Sequence, residues 1–99
     1  MDDEEERLRA RWCSPPPDTI AWVSWDDEYV AYHRHSGKTH FLNAASARLI
    51  SELLQQSSDA VAIAKAFAPP EGEVERRAHL AEILSMLERL EHLGLIQRA

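Results

Sequence analysis

Glu28 to Asn43 read EYVAYHRHSGKTHFLN, two short runs with the composition of β-strands on either side of a Ser-Gly turn. Both runs mix β-branched and aromatic residues with polar ones, which is typical of paired strands. The second run starts at Lys38 and ends at Asn43, a residue that often caps the N-terminus of a helix. Because no further strand pattern follows it directly, we expect this strand to lie at a sheet edge with unpaired backbone groups.

The length of the turn determines which side chains share a face of the sheet. A three-residue loop from His35 to Gly37, with Gly37 left-handed, gives three pairs: Arg34 with Lys38, Tyr32 with His40, and Val30 with Leu42. His40 then shares a face with Val30, Tyr32 and Leu42, and the other face holds His33, Thr39 and Phe41. A two-residue Ser-Gly loop would instead set His33 opposite His40.

The flanking sequence predicts one further strand and three helices. Thr19 to Trp25 predicts a first strand, joined by Asp26-Asp27 to the run that starts at Glu28. Helical periodicity follows in three segments, each with an apolar stripe. The stripes are Ala47, Ile50, Leu53 and Leu54; Val61, Ala64 and Phe67; and Leu80, Ile83, Leu84, Leu87 and Leu90. The sequence therefore predicts an α+β domain of the winged-helix kind, with a three-stranded antiparallel sheet followed by three helices.

The helix ends carry recognisable signals. Asn43 is placed to cap the first helix, and Ser58 or Asp59 the second. The third helix is predicted from Glu71 to Leu93, with Gly94 at its C-cap and Leu95-Ile96 tucked beneath.

Residues 1–18 predict a flexible tail, and residues 19–99 the folded domain. The tail starts with the acidic run Asp2 to Glu6, and Pro15 to Pro17 predict an extended spacer that stops any helix before them. A proline ligand for an SH3-type partner is the alternative for these prolines. Trp12 is expected to pack back onto the domain. The acidic start lacks the pattern of a secretory signal, and no apolar run is long enough to cross a bilayer, so we expect a cytoplasmic protein.

The charge distribution is unfavourable for binding phosphates. The net charge is −6, and the part of the chain after Arg11 still has twelve acidic and eight basic residues. We therefore expect no nucleic-acid partner. The alternative is a winged-helix regulator that binds nucleic acid through a local patch, either Arg34 with Lys38 or Arg76 with Arg77.

Catalytic and metal-binding patterns are missing from the sequence. There is no G-x-S-x-G motif and no glycine-rich phosphate loop, and the chain has three glycines in all. The single cysteine, Cys13, allows no intrachain disulfide. His33, His35 and His40 would form a partial metal-ligand set with the two-residue loop only, and no Cys or carboxylate completes it nearby. We predict a non-enzyme without cofactor or metal, in which the hairpin histidines face solvent.

Peptide capture is the function that the predicted edge strand favours. Thr39, Phe41 and the long helix could form the walls of a groove beside the strand, where backbone hydrogen bonds would hold an added segment. Two alternatives remain. Phe41 and the helix stripe could pack on each other, or the edge could pair with a second copy of the chain.

Several short motifs resemble the PqqD family of small peptide chaperones. They are Trp22, Trp25, Val30-Ala31-Tyr32, Ser36-Gly37, Thr39-His40, Leu42-Asn43, Ala47, Leu53-Leu54 and Leu93-Gly94-Leu95-Ile96. Trp12 and Pro15 to Pro17 are similar to the start of the branch found in HPr-rel-A systems. The resemblance covers about residues 12–97.

This resemblance implies a winged-helix-like element that binds the leader of a precursor peptide as an added strand and presents it to a modifying enzyme. The implied peptide-binding residues are Lys38, Thr39, His40, Phe41 and Leu42 on the strand, and Arg76, Arg77 and Leu80 on the long helix. The implied partners, besides the leader peptide, are a kinase related to HPr kinase and a nucleotidyltransferase-like protein. No membrane partner is expected, and the chain would be a monomer or a homodimer.

Overall fold

The computed structural model describes residues 3–99, so Met1 and Asp2, the first residues of the predicted tail, lie outside the described residues. The helices are α1 (Asp3–Arg9), α2 (Ala44–Arg48), α3 (Ala60–Ala66) and α4 (Glu73–His92), and the strands are β1 (Arg11–Cys13), β2 (Ile20–Trp25), β3 (Glu28–His33), β4 (Thr39–Leu42), β5 (Ser58–Asp59) and β6 (Gln97–Arg98). A 3-10 turn at Pro17–Thr19 precedes β2, and α2 continues as a π-helical stretch over Leu49–Leu53. The described chain is α+β, as predicted, with two three-stranded antiparallel sheets.

The three predicted strands form the larger sheet, in the order β2-β3-β4. Trp25 lies opposite Glu28, so Asp26 and Asp27 alone connect β2 to β3. Asp26 has a positive φ of 53°, a conformation that Asp tolerates better than most side chains because it can hydrogen-bond locally. The predicted tight connection is confirmed.

The predicted register of the second hairpin is wrong. Tyr32 lies opposite Thr39 and Ala31 opposite His40, one residue away from the expected pairing. The loop has four residues, Arg34 to Gly37, and is closed by a 2.8 Å bond from the His33 amide to the Lys38 carbonyl. Two further bonds stabilise the longer loop, since His33 Nδ1 accepts the Ser36 amide at 3.1 Å and the His33 carbonyl accepts the Gly37 amide at 2.8 Å.

The shift exchanges side chains between the two faces of the sheet. Since directly opposed residues share a face, Thr39 and Phe41 lie with Val30 and Tyr32 on the face away from the core, here called the outer face. The core-side face holds Ala31, His33, His40 and Leu42. Gly37 has a φ of 74°, so its predicted left-handed conformation is confirmed.

The second sheet joins the two ends of the described chain, in the order β5-β1-β6. Trp12, in the central strand, is fully buried, and its predicted packing onto the domain is confirmed. Its Nε1 donates to Glu91 Oε1 at 2.8 Å, and the guanidinium carbon of Arg98 lies 4.8 Å from its ring centre. The core thus includes a residue seven positions before the predicted domain start at Thr19.

Side-chain caps start α2 and α3 where the sequence predicts them. Asn43 Oδ1 accepts the Ser46 amide at 2.8 Å, and Asp59 Oδ1 accepts the Ala62 amide at 2.9 Å. The predicted burial of Ala64 is confirmed, whereas Val61, predicted to face inward, is exposed. Ile63 takes its place in the core.

Helix α4 buries Ile83, Leu84, Leu87 and Leu90 of its predicted stripe, with Leu80 partly buried at its edge. The helix ends at His92, and Gly94 follows with a φ of 80°, the left-handed conformation predicted for the turn that closes the helix. Leu95 and Ile96 then enter the core as expected. No helix within residues 3–99 is long and apolar enough to cross a membrane.

Candidate functional site

Strand β4 has a free edge, because β3 lies on one side of it and no described strand lies on the other. His33 and Lys38 form a hydrogen-bonded pair, and in antiparallel pairing such pairs alternate with pairs that are not bonded to each other. His40 and Leu42 therefore bond to β3. The amide and carbonyl groups of Thr39 and Phe41 point to the free edge.

A groove of about 500 Å³ lies between this edge and the C-terminal half of α4. Its lining residues are Thr39, His40, Phe41, Leu42, Asn43, Ser46, Arg89, Leu90 and Leu93. This space is here called the β4–α4 groove. The edge and the groove together offer backbone pairing sites beside a side-chain pocket, which is the arrangement that strand addition requires.

The structure brings part of the predicted site together. Thr39, His40, Phe41 and Leu42 all line the β4–α4 groove, and Lys38 is exposed immediately before β4. The helix residues at the groove are instead Arg89, Leu90 and Leu93. No local signal in the sequence marks these residues, because the apolar stripe of α4 extends over several turns of the helix.

The predicted helix contacts lie elsewhere on α4. Arg76 donates from Nη1 to the Glu71 carbonyl at 2.8 Å, and Arg77 pairs with Glu73 at 3.6 Å. Arg77 and Leu80 line a separate hollow with Glu4 and Arg7 of α1. Arg76 lies thirteen residues before Arg89 in the sequence, which is roughly 20 Å along the helix axis.

Two residues that line the β4–α4 groove each carry a buried polar atom with no hydrogen-bond partner among the described residues. The atoms are Nε2 of His40 and Oγ of Ser46, and the Ser46 residue is only 1% exposed. Burial lowers the pKa of His40 below its usual value, and the nearby His33 and Lys38 lower it further. The His40 ring is therefore mostly neutral at pH 7, with one nitrogen able to donate.

The charge of the groove is positive, although the chain is acidic. Arg89 is exposed and forms no ion pair with any residue from Asp3 to Ala99, and no carboxylate is among the described lining residues. The two glutamates near Arg89 on α4 are already paired. Glu88 binds Arg7 at 2.8 Å and Glu91 binds Arg98 at 2.7 Å.

The outer face of the larger sheet exposes large apolar side chains next to the free edge. Phe41 is 75% exposed, and Val23, Trp25 and Tyr32 are between 42% and 54% exposed. Phe41 lies opposite Val30, which lies opposite Val23, so one apolar row crosses all three strands and ends at the edge. A strand added to β4 would continue this row.

The hairpin histidines are near one another but do not form a recognisable metal site. The rings of His33 and His35 lie 5.9 Å apart in an edge-on arrangement. Within residues 3–99, no group of three or more His, Cys, Asp or Glu side chains is placed to hold a metal ion.

A second cleft of about 460 Å³ lies between β2 and α2, lined by Trp22, Ser24, Tyr29, Ala44, Ala47, Arg48, Ser51 and Glu52. Its charges are already paired, since Arg48 and Glu52 are 3.4 Å apart. Unlike the β4–α4 groove, it contains neither of the unpartnered buried polar atoms. We therefore regard the β4–α4 groove as the candidate functional site.

Comparison with protein-family models, with curated proteins and with solved structures gives no match to this chain.

Proposed function

We propose that this protein is a non-catalytic adaptor that binds an extended peptide segment by strand addition to β4. The observation that carries the proposal is the pair of outward-facing residues, Thr39 and Phe41, beside a groove walled by α4. The N-terminal strand β1 and the C-terminal strand β6 pair with each other rather than with β4, so neither end of the described chain occupies the edge.

Backbone pairing alone would hold such a segment weakly. The four outward amide and carbonyl groups of Thr39 and Phe41 would contribute about 1 kcal/mol each in net terms. Association itself costs at least about 4 kcal/mol in lost translational and rotational freedom. Stable binding therefore requires side-chain contacts in the β4–α4 groove and on Phe41, and these contacts would select among sequences.

The finer proposal follows the sequence resemblance. The ligand would be the leader of a precursor peptide, bound by a PqqD-like, winged-helix-like domain of an HPr-rel-A system in the cytoplasm. The adaptor would present that peptide to a modifying enzyme, with an HPr-kinase-related protein and a nucleotidyltransferase-like protein as proposed partners. The free edge and the helix-walled groove support this proposal.

The experiment is a selection of random seven-residue peptides displayed on phage against the immobilised full chain, followed by titration of synthetic binders into ¹⁵N-labelled protein. We expect the largest amide shifts at Thr39 to Leu42. Thr39→Pro and Phe41→Pro each remove an outward donor without removing a β3–β4 bond, so each should abolish binding while the sheet remains folded. Ser24→Pro is the matched control, since the same alternation places the Ser24 amide on the opposite edge of the sheet.

Three results would contradict the proposal. Binders whose affinity is unchanged in folded Thr39→Pro and Phe41→Pro variants would show that the edge is not used. A mass near twice the monomer that rises with protein concentration would favour self-pairing through β4. Binding to duplex DNA that weakens steeply with salt would favour the nucleic-acid alternative.

A further inference from the structure

We propose that the β4–α4 groove selects segments in which one carboxylate side chain lies between two apolar side chains. This inference rests on the proposed function, because it describes the segment that would be added to β4. It assigns Arg89, Ser46 and His40 as the groups that contact the carboxylate, and Phe41 as the main apolar contact.

The register of β4 determines where each side chain of an added strand would lie. A residue directly opposite His40 shares the core-side face and therefore points toward the groove, whereas its two neighbours, opposite Thr39 and Phe41, lie on the outer face. The added strand thus presents one side chain to the groove. The side chains of the residues before and after it lie on the outer face, beside Thr39 and Phe41.

The groove favours a negative charge at the central position. Arg89 lines it without an ion-pair partner among residues 3–99, and no described carboxylate competes there. A guanidinium group binds a carboxylate through charge-assisted hydrogen bonds that are stronger than neutral ones. A lysine at the same position of the segment would instead face Arg89, with Lys38 at the start of β4.

The unpartnered polar atoms of the groove give an independent indication of a ligand. Buried polar groups in folded proteins are nearly always hydrogen-bonded, yet Ser46 Oγ and His40 Nε2 have no partner within the described chain. Both atoms are closed to solvent, so the Ser46 hydroxyl and the neutral His40 ring, in the tautomer with its proton on Nε2, would donate to a carboxylate once neighbouring side chains move to admit it. A carboxylate has enough lone pairs to accept from both as well as from Arg89.

The flanking apolar positions follow from the exposure of Phe41. Three quarters of its surface is open, and directly opposed side chains on paired strands are close enough to pack on each other. An apolar residue opposite Phe41 would cover its ring and extend the row formed with Val30 and Val23. Thr39 offers its methyl group to the second flanking residue.

The phage selection described above tests this inference when it is repeated on three proteins. They are the wild-type chain, Arg89→Gln and the control Arg34→Gln, whose arginine is exposed in the hairpin loop outside the groove. We expect wild type and Arg34→Gln to enrich Asp or Glu between apolar residues, and Arg89→Gln to lose that enrichment. A selected acidic peptide should bind Arg89→Gln about tenfold more weakly, which corresponds to one charge-assisted contact.

Two further variants separate recognition from folding. Ser46→Ala removes an unpartnered buried hydroxyl, so the urea midpoint should not fall, while affinity for the acidic peptide should decrease. Arg89→Glu should prefer a peptide in which Lys replaces the central acidic residue.

The outcomes distinguish this inference from the proposed function. Peptides that depend on the backbone of Thr39 and Phe41 but show no acidic enrichment, or keep it in Arg89→Gln, would overturn the carboxylate assignment and leave strand addition intact. A selection that yields no binder sensitive to Thr39→Pro and Phe41→Pro would overturn both.

Discussion

Replacing Trp12 by alanine should strongly destabilise the protein, although the residue lies within a segment whose sequence predicts a tail. The side chain is fully buried in the central strand of the second sheet. It also donates a hydrogen bond to Glu91 and stacks beneath the Arg98 guanidinium group. Removing it leaves a cavity and takes one hydrogen-bond donor from the Glu91 carboxylate.

The size of the loss follows from the burial. Truncation of a buried Trp or Phe to Ala typically costs about 3–5 kcal/mol, which includes both transfer and cavity terms. Domains of this length have total stabilities of about 5–15 kcal/mol, so Trp12→Ala should remove a large fraction. For a domain of this size each kcal/mol lowers the melting temperature by about 4–8 °C, and the expected decrease is therefore at least about 12 °C.

Urea unfolding followed by far-ultraviolet circular dichroism measures this loss. Trp25→Ala is the matched control, since it makes the same chemical change at a side chain that is half exposed, and it should cost about 1 kcal/mol or less. Trp12→Phe keeps most of the ring volume, so its urea midpoint should lie between those of Trp12→Ala and Trp25→Ala. A Trp12→Ala midpoint equal to that of wild type would refute the placement of the N-terminal strand in the core.

Three further predictions concern single side chains. Gly94→Ala places a Cβ on a backbone with a φ of 80° and should lower the free energy of unfolding by about 1–2 kcal/mol, as measured by urea midpoints. Gly94→Asn should cost less, because Asn adopts this conformation more readily. The folded protein lowers the pKa of His40 below 6.5, so near that pH the unfolded chain binds more protons than the folded one. The contribution of His40 to the free energy of unfolding is therefore complete above pH 6.5 and is lost as the pH falls through the folded pKa. His40→Gln should flatten stability in that window, and a ring titration by NMR at or above 6.5 would contradict this. Hydrogen bonds from Arg98, and to a smaller extent from Trp12, lower the pKa of Glu91. Its contribution to the free energy of unfolding is therefore present above pH 4.5 and is lost as the pH falls through the folded pKa. Glu91→Gln should reduce the loss of stability on acidification, as measured by urea unfolding.

Local signals in the sequence predict much of the larger sheet and the helices. Strand alternation, the Asn43 and Asp59 caps and the glycine at position 94 each depend on residues close in sequence, and the structure confirms them. The second sheet could not be predicted in the same way. Its strands have two or three residues, too few for a periodic pattern, and its pairs join Trp12 to residues 58 and 98.

The candidate site was predicted in part for a related reason. The strand residues follow a local pattern, and the structure places them at the groove. The register depends on the length of the hairpin loop, which hydrogen bonds to the His33 ring and carbonyl stabilise at four residues. Which part of α4 faces β4 is a tertiary property. The amphipathic stripe of α4 runs along most of its length, so the sequence alone does not distinguish the turn of Arg76 from that of Arg89.

The second sheet also explains why the edge of β4 stays free. Only four residues separate α4 from β6, and Gly94 turns this short connection so that Leu95 and Ile96 enter the core. The C-terminal strand β6 therefore pairs with β1, where Cys13 lies opposite Gln97. For β1 to pair with β4 instead, Trp12 would have to leave the core, at the cost of several kcal/mol given above. The buried indole therefore holds β1 in the second sheet, and the outer edge of β4 is left unpaired by the strands from Asp3 to Ala99.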